Sequence, residues 1–258
     1  MAIAALFSLL QSGAFAAEAI STDRPDFVES SDVVGAGRFQ IEFGLQSEHD
    51  TANSIKTKTR TTPTLLRFGL SDSLELRVET DGRTSSRVQD TTGLQTRERG
   101  WADASIGLKW HMADGDESKG LPGMAWLVHL DGDTGSASFR GQGWRPSLRF
   151  VAEWDLPNDM SIGVMPGVAA STNANGKRFA AGILAVTVGK AWTPAWRSYV
   201  ELAGQQIASA ANGGSVVTFD TGLTYLVNDS LQLDLSLARG LTHESPRLAW
   251  GLGASVRF

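Results

Sequence analysis

The chain has 258 residues, 41% of them apolar and 20% charged, with a net charge of −5. That balance suits one large domain or two small ones, and the lack of a basic stripe along the sequence leaves nucleic acid outside the expected partners. Cysteine is absent, which excludes disulfide frameworks and Cys-ligated metal sites and suits an envelope protein.

The N-terminus reads as an export signal. Residues 2–10 are apolar, small residues follow, and Ala14-Phe15-Ala16 fits an A-x-A cleavage site. A signal peptide over residues 1–16 therefore precedes a mature chain starting near Ala17, although no basic stretch leads the apolar run. The run is too short to span a bilayer, and nothing later approaches the roughly 18–20 apolar residues of a transmembrane helix. Residues 17–36 are polar and aperiodic, with charges of both signs beside Pro25. They form either a periplasmic segment or a plug that folds into a lumen.

From residue 37 to 258 apolar and polar residues alternate with period two, the pattern of strands with one apolar face. Phe39, Ile41, Phe43 and Leu45 make the first apolar stripe. Every second residue of 64–70, 74–80, 104–110, 124–130, 146–154 and 160–168 continues the series. Residues 178–190 make a strand whose facing stays open, and stripes at 200–202, 217–225, 231–237 and 248–258 complete it. The total is about twelve strands of about ten residues, the length a tilted transmembrane strand needs.

Link lengths separate a barrel from a soluble sandwich. Short links at 71–73, 155–159, 193–196 and 227–230 alternate with longer polar ones at 47–57, 81–99, 131–143, 171–177, 209–214 and 240–246. Link 113–120 is the long exception on the short side. Transmembrane barrels have this asymmetry, with short periplasmic turns and longer outer loops. Trp110, Trp126, Trp154, Trp192, Trp196, Tyr225 and Phe258 fall near the short-link ends, as an interfacial aromatic girdle requires, while Trp250 sits nearer mid-strand. In hydrocarbon a sheet must close on itself, so the last strand has to pair with the first. The fold class is all-β: a transmembrane, antiparallel, up-and-down barrel of the Gram-negative outer membrane, with lipids against its apolar face.

The opposite face then lines the interior. Its charged members are Glu42, Arg67, Glu75, Arg77, Glu79, Asp103, Lys109, His129, Arg149, Glu153, Glu201, Asp220, Asp234, Arg247 and Arg257. Mixed signs argue against a strongly anion- or cation-selective pore, and some of these charges are expected only to satisfy one another. Thr22, Asp23, Arg24, Pro25, Asp26 and Phe27 form the motif best suited to dock on such a wall. The four histidines (49, 111, 129 and 243) show no metal spacing and no G-x-S-x-G elbow occurs, so no catalytic residue, metal or cofactor is expected. Asn228-Asp229-Ser230 matches a glycosylation sequon but reads as a turn.

The stretches ISTDRPDF, GRFQIEFG, LLRFGLSDSLELRVE, GWADASIGLKW, YVELAG, LTYLVNDSLQLDLSLARGL and GLGASVRF resemble the outer-membrane transporter family labelled as the meta-pathway of phenol degradation. The resemblance covers almost the whole mature chain, and TDRPDF is its most specific element. It implies a barrel for uptake of small aromatic or poorly soluble compounds, with no catalytic residues to carry over. Terminal Phe258 likewise resembles the C-terminal signature that the barrel assembly machinery reads. The functional expectation is a passive channel for small organic solutes. The rival is a structural or adhesive barrel without transport. Oligomeric state is left open.

Overall fold

The computed structural model describes residues 19–52, 54–173 and 175–258, so the expected signal peptide lies outside the described residues. The strands are β1 (Phe39–Ala52), β2 (Ile55–Thr61), β3 (Thr64–Gly69), β4 (Leu74–Thr80), β5 (Arg83–Gln89), β6 (Gln95–Trp101), β7 (Ala104–Ala113) and β8 (Gly123–Asp131). They continue with β9 (Arg145–Leu156), β10 (Met160–Thr172), β11 (Arg178–Ala191), β12 (Trp196–Ile207), β13 (Val216–Asn228), β14 (Leu231–Gly240) and β15 (Leu248–Arg257). Each pairs antiparallel with its neighbours, and β15 closes onto β1 from Gln40↔Arg257 to His49↔Leu248. That closure satisfies the edges a membrane sheet cannot leave open.

Three strands are broken in two. β1 pairs with β3 along its first half and with β2 along its second, in one continuous register. β2 and β3 are thus one strand interrupted at Thr62-Pro63, where proline has no N–H to donate. β4 and β5 are likewise one strand interrupted at residues 81–82, and β6 and β7 one interrupted at 102–103, neither of them at a proline. The barrel therefore has twelve strands, and β2, β5, β6 and the end of β1 form a sheet extension beyond one rim. The sequence reading placed loops at 47–57 and 81–99, and this is where it differs from the structure. Both faces of the extension are wet, so its strands lack the apolar alternation that marks a strand in sequence.

The facing follows the pleat. Phe43, Phe68, Val78, Ile106, Val128, Leu202, Leu235 and Leu252 are exposed on the outer wall, while Gln40, Glu42, Arg67, Arg77, Lys109 and Glu201 are buried inside. The open facing of 178–190 resolves with Ala181, Ile183 and Ala185 inward and Leu184 and Val186 outward. Trp110, Trp192, Trp196 and Phe258 are exposed at the short-turn end, and Trp196 packs on Tyr225 with ring centroids 4.6 Å apart. The first and last strands meet at that end too: the Phe258 N–H donates to Phe39 O at 2.8 Å, and their rings stack at 6.1 Å.

Leu235→Arg places a charge in hydrocarbon and is expected to cost about 2–4 kcal/mol. Thr224→Arg, which lines the lumen at the short-turn end across from Asp234, is expected to be tolerated. The folded, fast-migrating fraction on unboiled gels measures both, and equal losses would overturn the assignment.

Candidate functional site

The interior is occupied by residues 19–36, which enter at the short-turn end, climb into the barrel and return. The Ile20 N–H donates to Asp229 O at 2.9 Å, in a short turn, and Gly37 N–H to Gly69 O at 2.9 Å, beside another. Between these points the strap has no secondary structure of its own, so its backbone N–H groups need other partners. Inward carboxylates of the wall supply them. Glu42 accepts from Asp23 and Arg24, Glu201 from Phe27 and Val28, Glu153 from Ser31 and Glu75 from Val34.

The side chains divide by sign. The Asp23 carboxylate lies 2.6 Å from Arg77, 2.7 Å from Lys109 and 3.4 Å from Arg67. Glu29 bridges Arg77 and Arg149, each at 2.7 Å, and Arg149 also stands 5.5 Å over the Phe27 ring. Arg24 points the other way and pairs with Asp234 at 3.0 Å, while Gln232 donates to Thr22 Oγ1 at 2.7 Å. Mixed wall charge thus resolves into two regions. Cations sit on β3, β4, β7 and β9 with Glu75, Glu79 and Glu153 among them, whereas the buried charges of β12 to β14 are acids alone (Glu201, Asp220, Asp234). The adjacent residues Asp23 and Arg24 reach opposite regions.

Arg67 anchors the cationic side. Its guanidinium donates to Glu75, Glu42 and the carbonyls of Ser21 and Asp32, so a planar fork of donors ties wall to strap. Lys109 adds a bond to Ser30 O at 2.8 Å, and His129 accepts from Arg77 at 3.3 Å. Beside the charges, where Leu127 pairs with both Lys109 and Arg149, lies a dry patch: Val28 packs among Ala125, Leu127, Val151, Met165, Ala185 and Ala203, with Phe27 against it. Arg24 fits because Gly44 and Gly253, paired across the β1–β15 seam, leave room. A Cβ built on Gly253 lies 2.5 Å from the Arg24 guanidinium.

Other sequence-predicted positions lie elsewhere. Glu79 borders the cavity above the strap. Asp103 sits at the outer rim and clasps the loop after β8, accepting from Gly135, Gly141 and Arg145. Burial alone raises its carboxyl, but the N–H groups of Gly141 and Gly135 and the Arg145 guanidinium outweigh that and hold it below the usual carboxylate range. Arg247 is exposed in the loop before β15 and does not line the lumen as expected, because that loop lies outside the strand alternation. Arg257 bonds Asp229 O at the short-turn rim. Sequence reasoning missed Glu29, Val28 and the Gly44/Gly253 notch, although glycine inside a strand does mark a close approach. It also missed a Ser47–His49 contact of 3.5 Å on the outward row of β1. Ser47 is wholly enclosed.

A family model described as “Putative MetA-pathway of phenol degradation” matches residues 22–258. The chain belongs to this family. The match begins at Thr22, so the family's extent includes the segment that enters the lumen. Among solved structures, the COG4313 outer membrane channel from Pseudomonas putida F1 superposes with a TM-score of 0.61 at 14% identity, covering 89% of this chain and 98% of that one. The beta domain of the Bordetella autotransporter BrkA gives 0.57 at 15% identity, covering 87% and 100%. The KdgM porin gives 0.52 at 10% identity, covering 85% and 99%. These likenesses show a shared outer-membrane barrel fold. Among curated proteins nothing matches.

Removing Asp23 strips three buried cations of their common carboxylate, and breaking a buried ion pair costs about 3–5 kcal/mol. Asp23→Ala is therefore expected to lower the guanidinium midpoint of the barrel in vesicles, and Arg24→Ala, whose side chain is partly exposed, to lower it less. An unchanged midpoint for Asp23→Ala would remove the anchoring role.

Proposed function

We propose that the protein is a passive channel of the Gram-negative outer membrane for small organic solutes, aromatic or otherwise hydrophobic, with residues 19–36 as its gate. One observation carries the reading. The strap divides the lumen into a cavity of about 580 Å³ on the long-loop side and one of about 370 Å³ on the short-turn side, and Arg24, Asp26 and Tyr199 line both. A further cavity of about 570 Å³ lies at the outer rim between Asp103, Arg145 and Arg149. A path in segments, with one thin septum, is the geometry of a gated conduit. Ligand pockets for small molecules run from about 300 to 1,000 Å³, so each chamber holds a single-ring solute.

The solute class draws support from three sides. The family description refers to phenol degradation. The long-loop cavity carries Phe27, Leu65, Phe139 and Tyr199 alongside its charges. Glu79 and Arg149 stand on the same cavity, so a ring bearing a hydroxyl finds both an apolar surface and polar groups there. Flow follows the solute gradient.

Deleting residues 19–36 is expected to raise single-channel conductance in planar bilayers several-fold and to blunt discrimination between phenol and a sugar of similar size. A deletion strain is expected to grow slowly on limiting aromatic carbon and normally on glucose. Silent bilayers for both forms, with equal growth on every carbon source, would favour the structural barrel.

A further inference from the structure

The outward face of the rim extension carries charges that the channel does not use. On β2 the outward residues are Lys56, Lys58 and Arg60, on β5 Arg83 and Arg87, and on β6 Arg97 and Arg99. Their facing follows from register: Lys58 pairs with Arg87, and Arg87 with Arg97, so three cations stand side by side in one row. Arg60, Ser85 and Arg99 form the next row. Glu98, the acid within these strands, alternates onto the other face. Among the described residues no ion pair reaches any of the seven cations. Desolvation and the fields of Arg99, Arg87, Arg60 and Arg83 together hold the Arg97 guanidinium below its usual range. A sequence without a basic stripe thus folds into a surface with one, because three separated segments are laid edge to edge.

Like charges placed directly opposite on neighbouring strands destabilise a sheet. Such a face gains stability from an anion that lies across several strands at once. Its height says which anion. Moving down the same face, the outward row passes Trp101, 63% exposed, and reaches the exposed apolar Ile106, Val78 and Leu45. A tryptophan at that boundary belongs at headgroup level, where indole rings settle. The cations stand immediately above it, beside the lipid and outside the lumen.

We propose that this face binds the phosphate groups of a phosphorylated glycolipid in the outer leaflet. The inference rests on the long-loop end facing outward, and on nothing about conduction. Strands lie about 4.8 Å apart, so the Lys58–Arg87–Arg97 row spans about 10 Å and engages a headgroup carrying more than one phosphate. Guanidinium suits that partner because its planar fork matches phosphate oxygens.

The test uses the full mature protein in neutral-detergent micelles, with bis-phosphorylated lipid A, chemically dephosphorylated lipid A and phosphatidylglycerol as probes. Native mass spectrometry reads what each preparation retains. Wild type is expected to hold the bis-phosphorylated lipid at least 10-fold more tightly than the other two. The triple variant Arg87→Gln, Arg97→Gln, Arg99→Gln is expected to lose that preference while keeping its heat-modifiable barrel. Lys177→Gln with Arg178→Gln, at the end of another outer loop and the start of β11, is expected to keep it. Equal retention of the dephosphorylated lipid or of phosphatidylglycerol, or undiminished binding by the triple variant, overturns the assignment.

Discussion

Hydrocarbon offers the backbone no hydrogen-bond partner, and most of this structure follows from that constraint. It forces β15 to pair with β1 and so closes twelve strands into a ring. Closure fixes an interior whose wall alternates strictly with the lipid face, so every residue between two lipid-facing ones must be accommodated inside. Many of those residues are ionised, and an enclosed charge is tolerated only when paired and hydrogen-bonded. The strap answers the second requirement as the seam answers the first. Its irregular backbone has N–H groups to place, the wall has carboxylates to satisfy, and the two deficits cancel.

That reciprocity makes the strap a weak candidate for a permanent seal. Its anchors are charge-assisted, and pairs of that kind are strong only while water is kept out. Between Arg24 and Tyr199, however, cavities lie on both sides of the septum, so water reaches the Arg24–Asp234 pair more readily than the Asp23 cluster. Arg24 is the more exposed of the two, resting in the Gly44/Gly253 notch. In the proposed gate the Arg24–Asp234 contact with β14 is the first to yield, while Asp23 and Glu29 keep the strap on β4, β7 and β9.

The sequence made the barrel legible because lipid imposes a simple code on it. Stripes such as 231–237 and 248–258 alternate without error, since each outward position meets the same solvent. The inward positions obey no such code. Glu42, Arg67 and Arg77 were readable as inward, but their partners were not, because Asp23 and Lys109 converge only through register and through a segment with no periodicity. Met165 and Leu127 fall on the inward face by alternation, but nothing in the alternation says that Val28 covers them. Asp103 and Arg247 show the other limit: near strand ends, alternation no longer says whether a charge faces the lumen or a loop.

The rim extension fails the same code for a physical reason that also gives it a role. Above the membrane neither face has to be apolar, so β2, β5 and β6 are free to carry function on both. One face takes threonine and serine, such as Thr57, Thr59, Thr84 and Ser86. The other concentrates basic residues at the lipid boundary. A channel gains nothing from cations outside its lumen, whereas a barrel that must keep one rim at a fixed height gains from an ionic contact with the leaflet beside it. The one-residue register change between β4 and β5, which brings Arg83 and Arg87 onto the outward face, is what converts three ordinary polar hairpin segments into that contact.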